Sequence, residues 1–261
     1  MSTINQIVLD FYEQLHASVD IDAMFLAIEQ ATTALGFDNL SYTFVPGAIS
    51  HSPNQLQPIF KISKAYNAGF IRHYVDAEFG QQDFTIKRII NGDFSPMVWW
   101  REAKNQSITR AELEVIEVAR QEYGICHGIS IPTYSDGYNI AGVSVTREYR
   151  DHQFDELCSE RGEHLRRLSQ MFSDRVLCRH DIRAVFMAPF LQKLTTTEKQ
   201  VLSKLAKGCN LKAVCHELQL DYKYVANSVI KSLRKKFGNV TRDALMYEAG
   251  MLNFSQLLNE T

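Results

Sequence analysis

Two stretches of the 261-residue chain gather side chains able to bind something. In YNAGFIRHYVDAEFGQQDF, Tyr66, Phe70 and Tyr74 recur at four-residue steps, and Asp83 follows nine residues after the last of them. Phenols donate hydrogen bonds and a carboxylate accepts them, so a carboxylate held among rings can select a molecule that presents an N–H. The same spacing also describes one apolar face of a packed helix, and the residues alone leave both readings open. Near the C terminus, Asp221 can cap a helix in which Val225, Val229, Leu233 and Phe237 form an apolar stripe. Its other face offers Lys223, Asn227, Lys231, Arg234 and Lys235. Cations and an amide arranged in this way fit the major groove of DNA, although a charged helix face can also be simply solvated.

Other chemistries find no support. Cys126-His127 and Cys215-His216 are isolated pairs without a second pair at ligand spacing, so no metal site is expected. The G-x-S-x-G, Walker-type and G-x-G-x-x-G signatures are missing, so neither catalytic residues nor a cofactor are expected. The five cysteines are odd in number and scattered, as in reduced cytosolic proteins. No apolar run reaches the roughly 20 residues of a membrane span, and the N terminus does not read as a signal peptide, so the expected location is the cytoplasm, off the membrane. The net charge of −2 conceals an asymmetry: residues 190 to 261 carry about +5 and the remainder about −7. A basic module on an acidic body points to a polyanionic partner for the module alone.

These side chains need elements to hold them. Ile4, Ile7, Val8, Phe11 and Leu15 have helical spacing, as do Phe25, Ile28, Ala31 and Leu35, with Gly36 as the helix stop. Asn39 to Val45 reads as a strand, and Gly47 to Pro58 as a loop or weak second strand. Thr109 and Glu112 form a capping box ahead of a helix that stops at Gly124. Two β-rich runs then flank Asp136-Gly137, a pair suited to a tight hairpin turn. A long helix runs from Phe154 to about Leu177, and a linker is placed at about 178 to 191, where the period is unclear and Pro189 intervenes. Thr195 with Glu198 form a second capping box, Gly208 stops that helix, and Asn210 and Asp221 start the next two. The expected fold is α+β. Residues 1–177 form a sensor domain in which helices cover a mostly antiparallel sheet, an α/β/α sandwich; residues 192–261 form an all-α domain.

LTTTEKQVLSKLAKGCNLKAVCHEL is similar to the LuxR-type helix-turn-helix of bacterial quorum-sensing regulators, with Glu198, Leu202 and Gly208 at the family's spacing. Tyr66, Tyr74 and Asp83 stand at the intervals of the family's autoinducer-binding domain, with Phe70 where tryptophan is usual and Phe84 where proline is usual. Trp99 resembles the family's downstream tryptophan, and Ser144 its ligand-facing serine or threonine. The resemblance implies a transcription regulator that senses an acyl-homoserine lactone or another small apolar signal. It also implies a homodimer that reads an inverted repeat in double-stranded DNA. Asp83 would accept the ligand N–H, Tyr66 and Trp99 would donate to its carbonyls, and Phe70, Tyr74 and Ser144 would line the pocket. Base and phosphate contacts would come from Lys212, Lys223, Asn227, Ser228, Lys231, Arg234, Lys235 and Lys236. The third helix is one residue longer than the family's, which leaves its reading register open by one.

Overall fold

The computed structural model describes residues 3–46, 58–104, 108–137, 139–148 and 153–258. It divides into two compact units, Met1–Val176 and Leu177–Thr261.

In the first unit, α1 (Thr3–Ala17) and α2 (Ile21–Ala34) follow the apolar periodicity of the N terminus. The Asp20 carboxylate caps α2, and Gly36 ends it at φ +93°, a left-handed conformation that a side chain would strain. Next come β1 (Asn39–Val45), β2 (Ile59–Ile62), α3 (Ala68–Asp76), α4 (Phe84–Ile90), β3 (Met97–Val98) and α5 (Trp99–Lys104). The unit continues with α6 (Arg110–Tyr123), β4 (His127–Ser135), β5 (Ile140–Arg147) and α7 (Gln153–Cys178). The strands form one sheet in the order β2-β1-β5-β4-β3, every neighbouring pair antiparallel.

Helices cover both faces of this sheet. Alternate residues of a strand point to opposite faces, so Tyr42 and Phe44 face away from Ser41, Thr43 and Val45. On the Tyr42 side lies α7: the Tyr42 ring meets Phe172 edge-on at 5.1 Å, and Ser173 bonds the Tyr42 and Thr133 hydroxyls at 3.2 and 2.9 Å. On the Ser41 side lie α3 to α6, enclosing an aromatic-rich cluster with Tyr66, Phe70, Tyr74, Phe84 and Trp99.

Several expectations change in detail. β2 and β3 are short edge strands without a sequence pattern of their own, held by pairing to β1 and β4. The Gly47 to Pro58 reading falls almost wholly outside the described residues. Ser135 pairs with Ile140, so four residues close the hairpin instead of two, and Asp136 holds that loop by accepting from the Asn139 backbone N–H at 2.6 Å. The segment read as a linker, 178 to 191, is mostly helix α8 (His180–Leu191) with Pro189 in its last turn. Its buried Ile182, Met187 and Leu191 stand at five- and four-residue steps, which is why no clean period marks it.

The second unit continues with α9 (Thr196–Ala206), α10 (Leu211–Glu217), α11 (Tyr222–Tyr224), a π-helical turn (Val225–Val229) and α12 (Ile230–Lys236). It closes with α13 (Arg242–Met251) and α14 (Phe254–Leu257). Both expected capping boxes form, around Thr109 and around Thr195. Glu198 does more than cap. Its carboxylate accepts from the Thr195 backbone N–H, from the Ser232 hydroxyl at 2.7 Å and from the Lys236 ammonium at 2.6 Å, tying the start of α9 to α12. Burial alone would raise its pKa, but the Lys236 and Ser232 contacts outweigh this and hold it below the usual glutamate value.

A carboxyl depressed in the fold contributes stability above its unfolded pKa, about 4.3, and loses it as pH falls through the folded value. Glu198→Gln should therefore cost the second unit about 1 to 3 kcal/mol at neutral pH and flatten its acid destabilisation. Hydrogen exchange of α9 and α12 amides between pH 3 and 7 measures both effects. Protection in the variant equal to wild type at neutral pH would remove this tie from the account.

Candidate functional site

Between the sheet and helices α3 to α6 lies a cavity with about 760 Å³ of atom-free space, including space open to solvent. Tyr66, Phe70, Tyr74, Asp83, Trp99 and Ser144 all line it. Most of the remaining wall is apolar, including Val45, Ile86, Ile89, Val115, Ile116 and Ile140. Phe60 of β2 meets Tyr74 edge-on at 5.3 Å, and Phe70 packs on Tyr74 at 5.9 Å.

Asp83 owes its position to helix chemistry. It is the N-cap of α4, where Oδ1 accepts the Thr85 backbone N–H and hydroxyl, each at 2.7 Å. Oδ2 accepts the Tyr74 hydroxyl at 2.7 Å. A carboxylate offers about four acceptor positions, so Oδ2 keeps capacity for one more donor. The two phenols are held firmly as donors. Burial pushes Tyr66 and Tyr74 well above the normal tyrosine pKa, and the Asp83 charge adds to it; for Tyr66 a hydrogen bond with Ser41 offsets part of the rise.

Trp99 departs from its expected role. Its indole N–H donates to Ser130 Oγ at 2.9 Å, and Ser130 Oγ lies 2.8 Å from Ser144 Oγ. The donor expected to reach a ligand carbonyl is thus spent on a serine. Short pairing sets the arrangement: Met97 and Val98 pair with Ser130 and Ile129, and α5 begins at the next residue. The indole then lies directly on the β4 backbone, where a Cβ at Gly128 would come 2.5 Å from the ring.

Ser41, Thr85 and Ser130 also line the cavity and were not singled out from the sequence. A signal for Ser130 existed, because it lies as far before Gly137 as Ser144 lies after it, and hairpin partners share a face.

The segment from α11 to α12 of the second unit exposes Tyr222, Lys223, Tyr224, Asn227, Ser228, Lys231 and Lys235, and Lys212 on α10 is exposed as well. Arg234 and Lys236 are engaged internally. The Arg234 guanidinium donates to the Val240 carbonyl at 2.6 Å, and Lys236 donates to the Lys193 carbonyl at 2.7 Å as well as to Glu198.

An α/β/α domain enclosing an apolar chamber, with one carboxylate and a few hydroxyls at chosen places, is a small-molecule-binding domain. Residues 20–176 match the family described as the autoinducer binding domain, and the chain belongs to that family, the sensor of LuxR-type quorum-sensing regulators. No curated protein sequence matches the chain. Among solved structures, SdiA of Escherichia coli is 15% identical, with 97% of this chain and 98% of that chain covered and a TM-score of 0.52. The N-acylhomoserine lactone dependent LuxR family transcription factor CepR2 of Burkholderia cenocepacia is 20% identical over 65% of this chain and 97% of that chain, with a TM-score of 0.47.

Gly128→Ala drives a methyl into the Trp99 ring and should cost about 1 to 3 kcal/mol. The first unit should then melt lower by about 2 to 4 °C per kcal/mol, and tryptophan emission should shift as the indole leaves Ser130. An unchanged melting temperature and spectrum would show that the close approach does not exist in solution.

Proposed function

We propose that the chain is a ligand-responsive transcription regulator of the quorum-sensing type, binding an acyl-homoserine lactone or a similar amide-bearing apolar signal. The observation that carries this reading is the unspent acceptor capacity of Asp83 Oδ2 inside the apolar cavity of an autoinducer binding domain. A ligand amide N–H supplies the missing donor, and Tyr66 donates to the adjacent carbonyl. The alkyl tail packs against the isoleucines and valines of α4, α6 and the sheet. Oδ2 already accepts from Tyr74, so the ligand N–H adds a second, charge-assisted hydrogen bond to the same oxygen.

In the second unit, the helix from Asp221 to Lys236 is the proposed reader of DNA, acting in a homodimer on an inverted repeat. The proposed division is a sensor up to about residue 177 and a DNA-binding domain from about 192; the second compact unit begins at Leu177 and takes in α8 as well. Asn227, Ser228, Lys231 and Lys223 are the base-facing candidates, and Lys212 and Lys235 the phosphate-facing ones. Arg234 and Lys236 act chiefly within the fold, as their internal contacts suggest.

Two measurements test the proposal. The full chain, purified from cells grown with and without added acyl-homoserine lactones, is extracted with organic solvent and analysed by mass spectrometry; retained lactone is the expected result. Asp83→Asn preserves the helix cap, since asparagine caps as well as aspartate. It should weaken lactone binding by about 1.5 to 3 kcal/mol, the worth of a charged hydrogen bond. Unchanged affinity would remove Asp83 from the ligand contacts.

On DNA, Asn227→Ala or Lys231→Ala should reduce discrimination between an inverted-repeat site and scrambled sequence by about 1 to 3 kcal/mol. Lys212→Ala should weaken both and lower the salt slope by about one. If substitutions along the whole exposed face leave both affinities intact, the helix does not read DNA.

A further inference from the structure

The face proposed to read DNA carries one feature that charge does not explain. Tyr222 and Tyr224 open the helix that runs on to Lys236, and each is about half exposed, 46% and 48%. Their surroundings differ. Four residues after Tyr224 comes Ser228, exposed in the same polar series as Asn227 and Lys231, so the Tyr224 ring extends that series by one turn. Four residues after Tyr222 comes Ala226, which is half-buried, so Tyr222 stands to one side of the series.

Side chains of a helix lean toward its N terminus, so the Tyr224 ring covers the first turn. That turn begins at Asp221, whose Oδ1 accepts the Tyr224 backbone N–H at 2.8 Å. A carboxylate there answers the positive end of the helix dipole and repels a phosphate, which makes the first turn a poor seat for the DNA backbone. A ring in that place needs an uncharged, apolar partner. The major groove offers such a group in the C5-methyl of thymine, and recognition helices turn their N-terminal residues toward base edges.

We infer that Tyr224 is a specificity-determining residue, whose ring packs on the methyl group of a thymine in each half-site. The inference rests on the proposed reading of DNA by this helix. A phenol lacks the paired donors that select guanine, so its discrimination comes from apolar contact. Cytosine carries only a hydrogen at C5 and leaves the ring without that contact. Asn227 and Lys231 then read polar base edges one and two turns further along, and the tyrosine hydroxyl is dispensable.

The test uses duplexes that the full chain selects from a random-sequence DNA pool, with and without N-octanoyl-homoserine lactone. Each thymine fixed by the selection is replaced in turn by deoxyuridine, which removes the methyl and leaves the hydrogen-bonding groups unchanged. At one position per half-site the replacement should weaken binding by about fourfold, the worth of one buried methyl-sized group. Tyr224→Ala should bind the thymine and deoxyuridine duplexes within about 1.5-fold of each other, whereas Tyr224→Phe keeps the ring and should keep the preference. Lys231→Ala should weaken both duplexes and also keep it, a pattern that general loosening of the fold would not give. Tyr222→Ala should leave the preference as it is. Selected sites without a fixed thymine, equal binding of every deoxyuridine duplex by the wild type, or a preference that survives Tyr224→Ala or is lost in Tyr222→Ala overturns the inference and leaves the reading helix standing. If the chain selects no DNA under either condition, the reading helix falls and this inference falls with it.

Discussion

A strand buried on both faces must send alternate side chains into two different interiors, and β1, β4 and β5 are buried in this way. On one side the chain needs a permanent core, which Tyr42, Phe44 and Phe172 supply together with the hydroxyls locked onto Ser173. On the other side the same strands place small residues, Ser41, Gly142, Ser144 and Ser130, and the space these leave is the cavity. A shift of one residue in any of the three strands would exchange the faces, filling the chamber with rings and emptying the core. The antiparallel register is therefore the constraint on which both stability and recognition rest. It also lets Ser41, Ser144 and Ser130 lie side by side, because only residues in register across three strands can do so.

The polar groups of the chamber were each recruited from a structural task. Asp83 starts α4, Trp99 starts α5 on the β4 backbone, and Tyr74 belongs to the face of α3 that packs beneath β2. Every one of them is held by a hydrogen bond or ring contact that exists before any ligand arrives. Such side chains pay little ordering entropy on binding. The arrangement also limits what the groups can offer. Trp99, committed to Ser130, can act only through it, whereas Asp83 retains capacity because a carboxylate accepts more bonds than one N-cap uses.

Much of this was legible in the sequence, for identifiable reasons. Strand β1 has the bounds read from NLSYTFV, and both capping boxes form, because these signals are local. The six cavity residues came from spacing shared with a family, and the structure brings all six to one cavity. Ser41 was invisible because a serine in a strand carries no mark of its face until the pairing register is known, whereas Ser130 was marked only by its mirror position to Ser144 across the hairpin. The edge strands β2 and β3 depend wholly on their neighbours. Helix α8 was hidden by an irregular burial pattern and a proline. Lys236 looked like one more cation of a basic face, and nothing local to its helix announced Glu198, 38 residues earlier in the chain.

The third helix of the second unit contains a widened turn. Val225, Val229, Leu233 and Phe237 succeed one another at four-residue steps, and so do the exposed Lys223, Asn227, Lys231 and Lys235 on the opposite side. An α-helix has 3.6 residues per turn, so each such step drifts by about 40°, and three steps carry a stripe about 120° around the axis. In a straight α-helix both stripes would wind around the axis together by that amount. The π-helical turn at Val225–Val229 absorbs one residue, returning roughly 100° of that drift. The buried stripe then runs from α9, which meets the π-helical turn, to α13 and α14, where Phe237 packs on Phe254. The widened turn lies beneath Asn227 and Ser228, in the middle of the exposed polar series.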